Sequence, residues 1–72
     1  MSNVLHHGHP RRLEFGVRML EFEPDKCSGG MDFAFEVLNL MRMDVPQSIE
    51  WLYEQGNCCD CDIVSNLAAN RL

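Results

Sequence analysis

Between Met31 and Met43 the only polar side chains are Asp32, Glu36, Asn39 and Arg42, spaced by four, three and three residues. That spacing follows the 3.6-residue period of an α-helix, so the four line one solvent-facing stripe. The other positions, from Met31 and Phe33 through Val37 and Leu38 to Met41 and Met43, are all apolar. A helix that is apolar around most of its circumference must be covered around most of it. Residues 31–43 therefore read as a central helix, and the remaining chain must supply the elements that wrap it. The methionines suit either an adaptable binding groove or an irregular small core, the commoner use.

The flanking segments have helical spacing of their own. From Arg11 to Glu23 two rows, Leu13-Val17-Leu20 and Phe15-Met19-Phe22, make a wide apolar stripe that Pro24 should end. Asp44-Val45-Pro46-Gln47 looks like a helix start, with Asp44 as cap, Pro46 in the first turn and Gln47 placed to complete a capping box. The helix that follows turns Val45, Ile49, Leu52 and Tyr53 inward, sets Trp51 to one side, and stops at Gly56-Asn57. Trp51 reads as a core-edge residue or as an anchor for a partner. Ile63, Val64, Leu67, Ala68 and Leu72 recur at helical spacing, so residues 61–71 form a last helix with Asp60 and Asp62 at its positive end. The expectation is an all-α bundle of about four short helices over residues 11–72. A disordered or loosely attached arm, residues 1–10, precedes it, with two breakers and no periodicity.

At 72 residues the chain has room for one domain, too small for a deep catalytic pocket. It shows no apolar run of the ~18 residues a membrane span needs, and its N-terminus lacks a signal peptide's basic and apolar regions. The expected location is the cytoplasm, without membrane association. Charge is distributed unevenly: residues 13–72 carry four basic side chains against eleven acidic ones. Such a field repels a phosphate backbone, so nucleic acid is not an expected partner.

A domain this short often needs a staple. Cys27, Cys58, Cys59 and Cys61 are the candidates, and in a reducing compartment a metal is favoured over a disulfide. Cys58-Cys59-Asp60-Cys61 offers overlapping Cys-x-x-Cys and Cys-x-Cys spacings at the start of the last helix, where the dipole favours thiolate. Cys27 also precedes a helix. If the second and third helices form a hairpin, the start of one and the end of the other lie on the same side, and Cys27 approaches Cys59 and Cys61. Structural zinc takes four ligands. The fourth could be Cys58, Asp60, or a histidine among His6, His7 and His9, although a flexible tail is the simpler reading of those three. Two other readings of the cysteines remain open, as working thiols and as reduced residues that fill space between helices.

Cys27, the Ser48-Ile49-Glu50-Trp51-Leu52 segment and Gly56-Asn57-Cys58-Cys59-Asp60-Cys61-Asp62-Ile63-Val64 resemble a family of short bacterial proteins of uncharacterised function. Its pattern is Cys-Asp-His before one helix and Cys-Asp-Cys-Glu-Val after the next. By that resemblance Cys27, Cys59 and Cys61 are the motif cysteines, Asp62 stands in place of Glu, and Gly29 stands in place of His. No activity comes with it. The residues themselves lack a paired base for a thiol nucleophile and a phosphate-binding glycine loop, so an enzyme is not expected. The expected function is a small cytosolic helical module, stapled by a structural zinc, that binds a protein partner. The alternative is a thiol- or metal-responsive regulator using the Cys58–Cys61 cluster.

Overall fold

The computed structural model describes residues 3–69. Four helices follow one another, α1 (Arg12–Met19), α2 (Asp32–Leu40), α3 (Val45–Glu54) and α4 (Asp60–Ala68), with a 3₁₀ turn at Pro24–Lys26 between the first two. No strand occurs among the described residues, and the fold is the all-α bundle that the periodicity implies. None of these helices is long and apolar enough to cross a membrane. Around α2, α1 and α3 pack on either side and α4 closes against both α1 and α2. Leu38, Val37 and Ala34 of α2 enter the core with Phe15 and Met19 of α1, Leu52 of α3 and Ile63 of α4. Met31, Met41 and Met43 are also buried there, which settles them as core residues.

Both ends of the α2–α3 hairpin are set by local chemistry. α2 stops in a Schellman motif: Met43 N–H donates to Leu38 O and Arg42 N–H to Asn39 O, with Arg42 at φ +57. α3 stops the same way at the expected Gly56-Asn57, where Gly56 has φ +91 and Asn57 N–H returns to Leu52 O. Asp44 caps α3 by accepting from Gln47 N–H at 3.2 Å. The reciprocal half of the capping box does not form with the Gln47 side chain, because Asp44 N–H donates to Asn3 O instead.

α1 departs from its expected form in length and in facing. It ends at Met19, well before Pro24, and the following turn lays Phe22 against Phe33, ring centroids 5.2 Å apart. Of its two apolar rows only Phe15 and Met19 are buried; Leu13 is 72 % exposed, and Val17 and Leu20 are also exposed. Gly16 lies on the buried side of α1. A Cβ there would meet Leu67 Cδ2 of α4 at 3.3 Å, so the helix turns its glycine edge toward α4. α2 and α3 likewise leave Leu40, Phe35 and Tyr53 exposed, so the central helix is less fully wrapped than its composition suggests and Tyr53 does not face the core. α4 begins at Asp60, one residue earlier than expected, and ends at Ala68; Leu72 and residues 70–71 lie outside the described residues.

Residues 3–10 contain no helix or strand, as their breakers imply, and several of them lie against the bundle. Leu5 is 1 % exposed and belongs to the core, its N–H donating to Ser48 Oγ at 2.9 Å. Asn3 bridges the α2–α3 turn through Arg42 O and Asp44 N–H. Arg11 donates to Met41 O at 2.6 Å, satisfying a carbonyl at the C-terminal end of α2, while Glu14 holds it from the other side. Arg11 and Arg18 both donate to Glu14, which brings that carboxyl below its ordinary range.

The strongest tie between helices is Asp60. Its side chain is buried, 2 % exposed, and accepts from Phe33 N–H at 3.0 Å and Ala34 N–H at 2.9 Å, two of the N–H groups that the first turn of α2 leaves without a helical partner. Asp60 N–H in turn donates to Gly30 O at 2.9 Å. The first residue of α4 thus caps α2. In urea denaturation, Asp60→Ala should cost about 2–3 kcal/mol, since a charged acceptor is lost and two buried donors are stranded. Leu5→Ala should cost a similar ~2–4 kcal/mol by leaving a cavity. An unchanged midpoint for either variant would contradict its place in the core.

Candidate metal centre

The tie made by Asp60 controls what lies on either side of it. Cys59 is the residue before α4, in extended backbone (φ −153°, ψ 173°), and Cys61 is the second residue inside it. Cys27 follows the 3₁₀ turn, also extended (φ −66°, ψ 127°). Because Asp60 binds the start of α2 and Gly30 O, the beginning of α4 is held against the segment that carries Cys27. Cys61 completes the junction by donating its thiol proton to Pro24 O at 3.2 Å.

The sulfur atoms of Cys27, Cys59 and Cys61 all lie within 4.8 Å of one another. Two thiolates on one tetrahedral zinc ion are roughly 3.8 Å apart, so ligation would require movements of about 1 Å or less per side chain. All three side chains are partly exposed, within reach of an ion from solvent. Three soft donors suit a thiophilic cation. The three could therefore hold a metal ion.

The thiols influence one another strongly. Cys27 is brought down to about 7, first by the N–H of Gly29 and then by the side chain and backbone N–H of Cys61. Cys61 is pushed up to about 12, chiefly by its side-chain hydrogen-bond interaction with Cys27, with desolvation and the neighbouring sulfur charges adding to this. Cys59 receives the N–H of Asp62, which lowers it, but desolvation and Cys27 prevail and its net shift is upward. Cys27 is thus the thiol shifted toward ionisation, and Cys59 and Cys61 are shifted toward keeping their protons. A bound divalent cation would replace those protons and offset two of the three sulfur charges.

Of the four expected cysteines, the structure brings three together and leaves Cys58 out. Cys58 is exposed, and its N–H donates to Asp62 Oδ2 at 3.0 Å, a contact that braces the start of α4. Asp60, the second candidate for a fourth ligand, has both carboxylate oxygens on α2. The histidines lie with the arm: His6 Nδ1 accepts from Gly8 N–H, the buried His9 Nδ1 accepts from Arg11 N–H, and the His7 ring meets Trp51 edge-on at 5.1 Å. Along the chain Asp60 reads as an acid at the positive end of its own helix or as a fourth ligand, and nothing in the residue order shows that it faces another helix. The capping of α2 by a residue 26 positions from Ala34 is a tertiary fact.

In metal-free protein at pH 7, brief iodoacetamide treatment followed by peptide mass mapping should label Cys27 ahead of Cys61. The reason is that about half of Cys27 is thiolate at that pH while Cys61 stays protonated. Equal labelling, or Cys61 first, would contradict the charge placement.

Neither a curated protein nor a solved structure matches the chain. A family model described as Protein of unknown function (DUF2695) matches residues 14–66, which take in the central part of the bundle and all three clustered cysteines. By that match the chain belongs to this family of unknown function.

Proposed function

We propose that the protein is a small cytoplasmic helical module in which one zinc ion, held by Cys27, Cys59 and Cys61, staples the start of α4 to the segment before α2, and that it acts by binding another protein rather than by catalysis. The observation that carries the metal part is the meeting of three thiols from two segments some thirty residues apart in a domain of only 72 residues. A cross-link of that span has most effect where the hydrophobic core is small. The binding part draws support from Leu13, Val17 and Leu20, which share one face of α1 and are all more than half exposed. The partner is then a protein that offers an apolar face to that helix.

A second reading has one observation in its favour. Cys27, Cys59 and Cys61 are close, partly exposed and reduced, so any two could form a disulfide by giving up two protons and two electrons to an oxidant such as peroxide. The protein would then respond to thiol oxidation.

Native mass spectrometry of protein carrying no histidine tag, with helicity followed in parallel, separates the two. The zinc reading expects a mass gain of one zinc ion, with loss of helicity or a lower Tm on adding a chelator, and Cys59→Ser should mimic the chelator. Protein that takes up no zinc, and whose Tm ignores the chelator, would defeat the staple; loss of two protons' mass on peroxide treatment would then favour the responsive reading. For the interaction, the double variant Leu13→Asp/Val17→Asp should fold with wild-type stability, within ~0.5 kcal/mol, and lose a partner that the wild-type chain retains. Equal retention by both proteins would remove α1 as the contact.

A further inference from the structure

The three thiols leave a zinc-class ion one ligand short of a tetrahedron, because structural zinc takes four ligands. Among the described residues no fourth His, Cys, Asp or Glu joins the group. The nearby alternatives are committed elsewhere. Asp60 caps α2, Asp62 accepts from Cys58 N–H, and Asp32 accepts from Ser28 Oγ at 3.0 Å. The arm histidines lie where the arm joins the α2–α3 turn and α3, and α2 and α3 run from that turn to the cysteine end of the bundle. Beside Cys27 the chain also leaves room. Gly29 sits at φ +87, its N–H faces the Cys27 sulfur, and a Cβ there would meet nothing within 4 Å.

We infer that this is an open metal site: the ion is held by Cys27, Cys59 and Cys61, and its fourth position, on the side of Gly29, accepts a neutral nitrogen donor of the imidazole class from outside the chain. The inference rests on the metal reading above. Charge selects the donor class. Three thiolates around a divalent ion already leave one negative charge in excess, and Asp32 and Asp62 lie in the neighbouring turns of a chain whose net charge is −5. Another thiolate or a carboxylate would add to that excess, whereas a neutral imidazole does not. Access fits as well, since Cys27, Cys59 and Cys61 are each partly exposed. Zinc sites that keep three protein ligands use the fourth position for an exchangeable ligand, and here that position would let a histidine of another molecule dock on the metal.

The test uses the full chain, free of any tag, loaded with one equivalent of cobalt(II), whose visible absorption reports the ligands around the ion. Titration with imidazole should shift the cobalt bands along a saturable curve with a stoichiometry of one, and the same shift should occur in Cys58→Ser. A chain that binds no cobalt would overturn the metal reading itself. Cobalt binding with bands indifferent to imidazole would overturn the open position and leave the staple standing. Bands that respond to 2-mercaptoethanol but not to imidazole would overturn the donor class. A Cys58→Ser protein with changed bands before any titration would show that Cys58 is the fourth ligand, and the inference would fail.

Discussion

One buried carboxylate holds the start of α4 on the start of α2. Asp60 places both of its oxygens on consecutive N–H groups of α2 and uses its own N–H on Gly30 O. The arrangement is favourable because the N-terminal turn of a helix has donors without partners and a partial positive charge, and a carboxylate answers both. It also limits the freedom of the structure. With Asp60 fixed on α2 and on Gly30 O, its chain neighbours Cys59 and Cys61 are held beside the segment that carries Cys27.

The candidate metal centre is therefore a consequence of a helix cap. Without the cap, three thiols on two segments would have to be gathered at the cost of chain entropy for each of them. With it, the bundle gathers them in advance, and the donors of two neighbouring helix starts lie close by. The unequal shifts of the three thiols follow from this crowding: the Gly29 N–H and Cys61 bring Cys27 down, while Cys27 and desolvation hold Cys59 and Cys61 up. A divalent cation would meet its first thiolate most readily at Cys27 and would displace the protons that remain on the other sulfurs.

Much of the helical architecture is legible along the chain. The four polar residues at 32, 36, 39 and 42 mark α2, and Asp44, Pro46 and Gly56-Asn57 mark the two ends of α3, because helix period, capping and left-handed turns are decided within a few residues. Cys27, Cys59 and Cys61 could also be paired by tracing a helical hairpin. What the residue order does not show is which face of α1 meets the core. Leu13, Val17 and Leu20 are as apolar as Phe15 and Met19, and the choice is made by how α1 packs against α2 and α4, with Gly16 close to Leu67. Leu5 escapes notice for a similar reason: it stands among histidines, glycine and proline without any period, yet Ser48 gives its N–H a buried partner.

Alone, the sequence determined the helices, both ends of α3 and the presence of four cysteines around helix starts, since each of these depends on neighbours close in the chain. Only the tertiary structure decided that Cys58 stands apart, that Asp60 belongs to α2 rather than to the thiol cluster, and that residues of the arm complete the core. The last two rest on contacts between residues 26 or more positions apart, as between Asp60 and Ala34 or Leu5 and Ser48. Their geometry is set when apolar faces pack and buried polar groups must find partners, which no local pattern records.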